Sequence, residues 1–257
     1  MNSNEVKQAL QKSITQFINA YKTINSLSTS WKLPIVGFAD TDSAYILSLR
    51  EIVSPTHYMP QDFLSDCTVI ISYFLPFDTE IGQSNNGNTE PSPTWVTAYN
   101  ETNQMFLEIN KDLIQLIGRW GFHAVSPQTV GMIDSTHIYS NWSQRHIAYA
   151  AGLGTFGVNN MLITEAGTCG RFYSLITDLP VEPDYPLKEE RCLYKRSGVC
   201  GLCVRRCPIQ ALALEKPFDR NACASRLEGF ERRLGADVCG KCTVKLPCTY
   251  HNPAKGL

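Results

Sequence analysis

Eight of the ten cysteines in this 257-residue chain lie in residues 186–257, so the chemistry of this tail depends on what they bind. In chain order they are Cys192, Cys200, Cys203, Cys207, Cys223, Cys239, Cys242 and Cys248. Two pairs have C-x2-C spacing, which lets two thiolates of one short loop reach the same metal centre. Cys207 follows Cys203 by four residues and precedes Pro208, which gives the C-x2-C-x3-C-P pattern of bacterial iron–sulfur proteins.

Three kinds of site compete for these cysteines. Disulfides need an oxidising compartment, and nothing in the sequence indicates export. Two zinc sites, each with four cysteine ligands, would use the two C-x2-C pairs. Two [4Fe–4S] clusters need two sets of four cysteines, and they also account for the C-x2-C-x3-C-P run. The spacing therefore favours two [4Fe–4S] clusters, with zinc as the alternative.

The C-x2-C-x3-C-P pattern also suggests how the cysteines divide, because its last cysteine binds the other cluster. One set would then be Cys192, Cys200, Cys203 and Cys248, and the other Cys207, Cys223, Cys239 and Cys242. Two features depart from the usual pattern. Seven residues separate Cys192 from Cys200, and Pro247 precedes the last cysteine instead of following it. Cys248 is therefore the ligand that the pattern supports least.

Charge is distributed unevenly along the chain, although the net charge is only −1. Residues 1–185 carry 9 Lys and Arg against 17 Asp and Glu, whereas residues 186–257 carry 14 against 7. A basic tail often indicates nucleic acid or an acidic partner. Here two clusters, each with about two negative charges when oxidised, would offset much of the tail's charge. We interpret the basic residues as charge balance for the clusters.

Three closely spaced glycines form a second candidate site. The stretch "GLGTFG" comprises Gly152, Leu153, Gly154, Thr155, Phe156 and Gly157. Its G-x-G-x-x-G spacing resembles a dinucleotide-binding turn, which requires a strand before it and a helix after it. Here the pattern predicts a helix before the glycines and a short strand after them. This order argues against a nucleotide. A helix C-cap and tight turn explain Gly152 but account less well for three glycines in six residues. Closely spaced glycines also let a backbone lie against a large flat ligand.

The front of the chain alternates helix-like and strand-like segments, which is typical of a mixed α/β fold. The predicted strands include "LPIVGFA", "CTVIISYFL" and "RFYSLITD", and a long helix is predicted near residues 97–119. Residues 78–94 are rich in turn-forming residues and are predicted to be a loop. No apolar run is long enough to span a membrane, and no secretory signal is recognisable, so we expect a cytoplasmic protein.

The remaining two cysteines and a histidine have ordinary structural interpretations. Cys67 precedes an apolar strand and is expected to be a small buried hydrophobe. Cys169 lies near the glycine loop in sequence, where a packed thiol is favoured over a cofactor contact. His146 is expected to be a structural histidine.

Several stretches together resemble the epoxyqueuosine reductases and their relatives, the reductive dehalogenases. The resemblance rests on "AGLGTFGVNNMLIT", "GRFYSLITDLP" and the eight-cysteine tail, and it covers about residues 55–250. It implies an α+β fold, with a nitroreductase-like α/β domain in residues 1–185 and a small ferredoxin-like double [4Fe–4S] domain in residues 186–257. It also implies a cobalamin between the two domains, lying against the glycine loop.

The resemblance further implies a proton donor ahead of the glycine loop. The nearest match is Asp134 in "GMIDSTHIYSNW", although Thr136 and His137 replace the small residue and the proline of the family motif. Reductive bond cleavage consumes protons, so an acid beside the corrin is chemically reasonable. His137 is the alternative donor, because histidine titrates near neutrality.

The function expected from these features is an iron–sulfur oxidoreductase that delivers electrons to a corrinoid for reduction of an unknown small-molecule substrate. Its electrons would come from a donor such as ferredoxin or flavodoxin. The net charge of −1, the acidic front and the short sequence after Cys248 argue against tRNA as the substrate. The alternative functions are a ferredoxin-type electron-transfer protein without a second cofactor and a zinc-stabilised binding module.

Overall fold

The computed structural model describes residues 2–87, 89–127, 138 and 140–256. Its helices are α1 (Ser3–Ile24), α2 (Ala44–Leu47), α3 (Leu49–Ile52), α4 (Thr79–Ser84), α5 (Pro93–Arg119), α6 (Gln144–Ala150), α7 (Leu193–Ser197), α8 (Leu202–Arg206) and α9 (Arg220–Leu234). Its strands are β1 (Ile35–Asp40), β2 (Val69–Pro76), β3 (Ala124–Val125), β4 (Gly154–Phe156), β5 (Leu162–Thr164) and β6 (Gly170–Thr177).

A four-stranded antiparallel sheet forms the centre of the front part, in the order β1-β2-β6-β3. Every residue of β2 is buried, because the sheet is covered on both faces. Alternate β2 residues face opposite sides: Ile71 and Tyr73 join one apolar cluster, and Ile70 and Phe74 join the other. Within the described residues, a second sheet consists of β4 and β5, which pair antiparallel.

Two long helices cover one face of the central sheet. Helix α1 begins with a capping box between Asn2 and Glu5, and it buries apolar residues every four positions. Helix α5 begins at Pro93 after the cap residue Ser92, whose side chain accepts from the Trp95 N–H. The opposite face is covered by the short helices α2, α3 and α6. The front is therefore a mixed α/β structure, as the sequence predicted.

Residues 78–94 are not the loop that the sequence predicted. They contain helix α4, and Asn85 at its end is fully buried. Asn85 Nδ2 donates to the Cys239 carbonyl in the tail. Turn-forming residues in this segment therefore build a buried contact between distant parts of the chain.

Residues 186–257 contain three helices joined by turns, and they pack on the front part. Ala236, Val238 and Val244 share an apolar cluster with Phe77 and Trp95 of the front. Gly240 has φ +70°, and a Cβ at this position would meet the Trp95 ring at 2.4 Å. Only glycine therefore permits this turn to lie against Trp95. None of the described helices is long and apolar enough to cross a membrane.

Candidate functional site: two cysteine quartets and an interface cavity

Four cysteines surround a small cavity of about 30 Å³ and are called quartet A here: Cys192, Cys200, Cys203 and Cys248. Cys192 is the N-cap residue of α7, and Cys203 lies on α8. Between these helices the backbone turns through Gly198 at φ +73°, and Cys200 has φ +137°. A non-glycine residue in this region is strained by about 1–3 kcal/mol, a cost that is typical of functional sites.

The other four tail cysteines line a larger cavity of about 430 Å³ and form quartet B: Cys207, Cys223, Cys239 and Cys242. Cys207 ends α8, so this one-turn helix carries a thiol of quartet A and a thiol of quartet B four residues apart. The Cys207 sulfur accepts a hydrogen bond from the Ala211 N–H at 3.3 Å. The chain therefore gathers the cysteines in the two sets that the crossed pattern suggested.

Front residues hold the backbone of both quartets. Asn85 Nδ2 donates to the Cys239 carbonyl at 3.0 Å, and Asn159 Nδ2 donates to the Cys242 carbonyl at 2.6 Å. The Thr168 N–H donates to the Cys248 carbonyl at 2.9 Å. Three of the eight cysteines are therefore positioned by the front part and not by the tail alone.

The protonation of these thiols depends on what occupies the site. Burial raises the pKa of the Cys203 thiol to about 11 and that of Cys248 to about 12. Burial also raises the pKa of Cys242, and its quartet partners raise it further. These thiols are protonated at neutral pH without metal, because ionising them requires a nearby cation. Metal binding therefore has to displace their protons.

Zinc ions and iron–sulfur clusters need different arrangements of their thiolate ligands. Within the described residues, no group of three or more His, Cys, Asp or Glu side chains is arranged to hold a single metal ion. A zinc site needs its four ligands around one ion, whereas a cubane cluster holds each thiolate on a different iron atom. Which of the two the quartets hold therefore stays a prediction.

A third cavity of about 500 Å³ lies between the front part and quartet B, and we call it the interface cavity. Aromatic and basic front residues line one wall, among them Trp142, Arg145 and Phe172. Three thiols of quartet B also line this cavity, which therefore adjoins the cavity of quartet B: Cys223, Cys239 and Cys242. Its size is in the range of small-molecule and cofactor sites.

Several buried polar atoms of the residues lining the interface cavity have no hydrogen-bond partner. They are both amide atoms of Gln144, Trp95 Nε1 and Arg171 Nε. A buried polar atom that lacks a partner costs about 1–3 kcal/mol, and such atoms are rare in folded proteins. Their concentration at one cavity is consistent with a ligand that satisfies them.

Two arginines, Arg145 and Arg171, line the interface cavity together with one carboxylate, Asp237. Burial lowers the pKa of Arg145, and the nearby positive charge of Arg220 lowers it further. Arg145 donates to the Asn160 carbonyl, and Arg171 lies over the Tyr99 ring at 4.0 Å. Gln144, Arg145 and Arg171 were not predicted from the sequence. The available signal was their position at the start of α6 and β6, which precede and follow the β4–β5 hairpin.

The predicted helix before the glycine loop is present as α6, and Gly152 follows it with φ +69°. However, Gly154–Phe156 forms strand β4, which the sequence analysis missed. A Cβ at Gly154 would meet the Ile163 carbonyl oxygen at 2.3 Å, and one at Gly152 would meet the Tyr185 carbonyl oxygen at 2.6 Å. The glycines are therefore required by close contacts within the protein itself.

Strands β4 and β5 form a hairpin that contains most of the glycine loop, and this glycine hairpin lies beside quartet A. Of the six residues 152–157, only Gly157 lines one of the three cavities described above, and that cavity is the one of quartet A. Thr155 Oγ1 donates to Glu190, and Glu190 accepts from the Cys192 N–H. Arg191 donates to the Leu153 carbonyl. Strands β4 and β5 thus hold the segment that leads into Cys192. Contact between the loop and a corrin stays a prediction.

The two predicted proton donors, Asp134 and His137, lie outside the described residues. Cys67 and Cys169 are buried, with burial raising the pKa of Cys169 to about 12. His146 contacts Ser143 through Nδ1 and packs against the Phe156 ring. These three residues have the structural surroundings expected of them.

Comparison with known proteins identifies relatives of this chain, although no protein-family model matches it. The epoxyqueuosine reductase of Bacillus subtilis is 30% identical over 131 residues, which are 47% of this chain and 31% of that protein. The epoxyqueuosine reductase of Vibrio cholerae is 22% identical over 209 residues, which are 75% of this chain and 52% of that protein. The chain thus spans only about a third to a half of these relatives.

Solved structures show the same fold. An epoxyqueuosine reductase bound to an epoxyqueuosine-modified tRNA stem loop has a TM-score of 0.57 at 19% identity, covering 96% of this chain and 66% of that one. A catabolic reductive dehalogenase has a TM-score of 0.57 at 18% identity, covering 86% of this chain and 30% of that one. The resemblance predicted from the sequence is confirmed.

The expectation about partners is corrected by the same comparisons. The argument against tRNA is wrong, because the curated relatives are named epoxyqueuosine reductase and a solved relative holds a tRNA stem loop. The physical error lies in using the net charge of −1, which averages an acidic front with a basic tail. Phosphates respond to local charge, so a small net charge is no argument against tRNA.

Proposed function

We propose that this chain is an iron–sulfur reductase that passes electrons through two [4Fe–4S] clusters to a corrinoid in the interface cavity. Quartet A would hold one cluster and quartet B the other. In this proposal residues 1–185 are a nitroreductase-like domain that supplies one wall of the corrinoid site. Residues 186–257 are a ferredoxin-like domain that supplies the other wall. The eight tail cysteines must stay reduced to bind metal, which fits a reducing compartment such as the cytoplasm.

One observation carries the proposal: three thiols of quartet B line the interface cavity together with front residues. A cluster on quartet B would therefore lie at the wall of the cavity, next to any ligand bound there. None of the quartet A thiols lines the interface cavity, and the short helix α8 connects the two quartets. The order of the sites then runs from quartet A to quartet B and on to the cavity.

The residues around the interface cavity fit a corrinoid. A corrin is a flat ring with carboxamide groups at its edge, which both donate and accept hydrogen bonds. The unsatisfied amide of Gln144 and the unsatisfied donors of Trp95 and Arg171 match such groups. Trp142 and Phe172 supply apolar surface for the ring. When bound, the corrinoid would supply a cobalt centre able to cleave C–O or C–halogen bonds reductively.

The protein's own residues would bind and orient the reactants. Arg145 and Arg171 supply positive charge, which would attract an anionic part of the substrate or corrinoid. The proposed proton donor remains Asp134, with His137 as the alternative. Because the curated relatives are epoxyqueuosine reductases, an epoxyqueuosine-modified tRNA stem loop is the first substrate to test.

Electron transfer to the corrinoid tests this proposal directly. The cluster-loaded protein is reduced with dithionite under argon, freed of excess reductant and mixed with cobalamin. We expect the visible absorption of the oxidised clusters to return as cobalamin is added, saturating at a fixed ratio to protein. The Cys223→Ser variant should lose this reaction. Clusters that stay reduced in the presence of cobalamin would contradict the proposal and favour a simple electron carrier.

A further inference from the structure

A buried lysine separates two thiols of quartet B. Lys241 lies between Cys239 and Cys242 in the sequence, and its residue is only 2% exposed. It lines the cavity that quartet B surrounds. Lysine is almost never buried to this degree without a partner of opposite charge. We therefore expect a negatively charged group near the ammonium group of Lys241.

The contacts of Lys241 Nζ are all with neutral oxygen atoms. It donates to the Asn85 carbonyl at 2.9 Å, to Asn85 Oδ1 at 3.0 Å and to the Gly87 carbonyl at 3.3 Å. These three acceptors match the three donors of an ammonium group. Its hydrogen bonds are thus satisfied, but its positive charge is not neutralised by any of them.

No carboxylate forms an ion pair with Lys241 within the described part of the chain. The ion pairs found there join other residues, and none includes Lys241. Removing an ammonium ion from water costs several kcal/mol unless an opposite charge compensates. The thiols of quartet B, once ionised on a metal centre, are negative groups in the same cavity.

We propose that Lys241 is an internal counter-cation of the metal centre on quartet B and raises its reduction potential. This inference rests on the proposed function, because it requires a cluster on quartet B. Reduction adds one electron from an external donor to the cluster and so adds one negative charge. No bond changes at Lys241. A fixed positive charge beside the cluster favours the reduced form.

Asn85 makes this arrangement rigid. Its carbonyl and side-chain oxygens hold Lys241 Nζ, and its Nδ2 donates to the Cys239 carbonyl at 3.0 Å. The Asn85 side chain also accepts from the Ser92 N–H. A single front residue therefore fixes both the ammonium group and the cluster loop. The lysine cannot turn to solvent without breaking these contacts, so its charge stays beside quartet B.

The test is a redox titration of the loaded protein with dithionite, followed by electron paramagnetic resonance. The wave that belongs to quartet B is identified by its change in Cys223→Ser. In Lys241→Met we expect at least a tenfold loss in the equilibrium constant for reducing this centre, which is about 59 mV for one electron. The wave of quartet A should change less. Lys241→Arg, which keeps the charge, should stay near the wild type.

Lys245→Met is the matched control, because it removes the same charge from an exposed side chain of the same loop. It should leave both potentials nearly unchanged, since solvent screens exposed charges. Equal shifts in Lys241→Met and Lys245→Met, or no shift in either, would overturn the inference.

Iron and sulfide content separates the remaining outcomes. If Lys241→Met fails to load quartet B while Lys241→Arg loads it, the charge is needed for assembly, which supports the inference. If neither variant loads it, Lys241 has only a structural role and the inference is wrong. Absence of iron and sulfide from the wild type would instead refute the proposed function.

Discussion

Individual residues around the cysteine quartets carry unusual burial and charge. Cys200 has φ +137°, Gln144 has an amide without partners, and Lys241 is buried without a carboxylate. Each of these features is costly in an isolated protein. Together they are explained by groups that bind at the quartets and in the interface cavity.

His146 should make the stability of the protein depend on pH. Burial, with the charge of Arg145, lowers the pKa of His146 to about 4. In the unfolded chain the pKa of histidine is about 6.5. Below that pH the unfolded state therefore binds a proton that the folded state does not bind. The free energy of unfolding should therefore fall as the pH decreases from about 6.5 towards 4. Between about pH 7.5 and 5.5 the loss is on the order of 1 kcal/mol.

Urea denaturation at these two pH values checks the prediction. His146→Gln should lose this part of the pH dependence, whereas His251→Gln, which changes an exposed histidine, should keep it. The same pH dependence in His146→Gln and the wild type would show that His146 does not titrate abnormally.

Gln144→Leu should affect ligand binding and stability in opposite directions. The leucine removes an amide whose two polar atoms are buried without partners, so the ligand-free protein should gain about 1 kcal/mol in stability. The same change removes hydrogen bonds to the proposed corrinoid, and its affinity should fall roughly tenfold. Calorimetric titration with cobalamin and thermal unfolding measure the two effects. Unchanged affinity would show that Gln144 does not contact the ligand.

The C-x2-C pairs could be recognised because their spacing is local and has a known pattern, whereas the assignment of all eight cysteines as ligands stays a prediction. Residues such as Gln144 and Lys241 could not be, because their role depends on which distant residues surround them. A glutamine or lysine is ordinary in sequence and becomes informative only when burial leaves its polar groups without partners.

At the scale of elements, the closely spaced glycines of the hairpin were recognised in the sequence, but contacts within the protein explain their spacing. Helix α6 and its terminating Gly152 follow local rules and were predicted. Strand β4 was not predicted, because three residues that begin with glycine are recognised as a strand only when their partner β5 is in place. The spacing of the glycines reflects contacts with Ile163 and Tyr185.

Gly154→Ala should therefore act on the hairpin and on quartet A. The new Cβ would lie 2.3 Å from the Ile163 carbonyl oxygen, and β4 would have to move away from β5. Since Arg191 bonds to the Leu153 and Ile163 carbonyls, the segment before Cys192 would move as well. We expect a loss of roughly 1–3 kcal/mol in stability and reduced iron on quartet A.

Gly118→Ala is the matched control, since a Cβ there meets nothing within 4 Å and the position lies in helix α5. It should be neutral or stabilising. Full iron loading and wild-type stability in Gly154→Ala would contradict the packing described for the hairpin.

At the scale of the whole molecule, the tail and the front depend on each other. The tail has few buried apolar residues of its own, and Trp95 of the front is covered by Gly240. Metal binding should therefore supply much of the free energy that orders the tail. The charge of the two parts follows the same division, because the basic tail surrounds the sites proposed for anionic clusters.

Cys203→Ala should loosen residues 186–257 while leaving the central sheet folded. The loss of one ligand of quartet A should increase protease cleavage within the tail. It should also expose Trp95, which is 6% exposed in the intact structure, and shift its fluorescence to the red. Cys67→Ala removes a buried thiol from the front and should not change tail cleavage. Equal protease resistance of the tail in Cys203→Ala and the wild type would contradict metal-dependent folding.

The most direct test of the account is the composition of the protein after anaerobic reconstitution with iron, sulfide and an excess of cobalamin. Iron, acid-labile sulfide and cobalt are counted in the protein fraction from gel filtration. The account predicts about eight iron, eight sulfide and one cobalt per chain, from two cubane clusters and one corrinoid. The same iron and sulfide without cobalt would contradict the corrinoid site and indicate an electron carrier. Zinc in place of iron and sulfide would contradict the account as a whole.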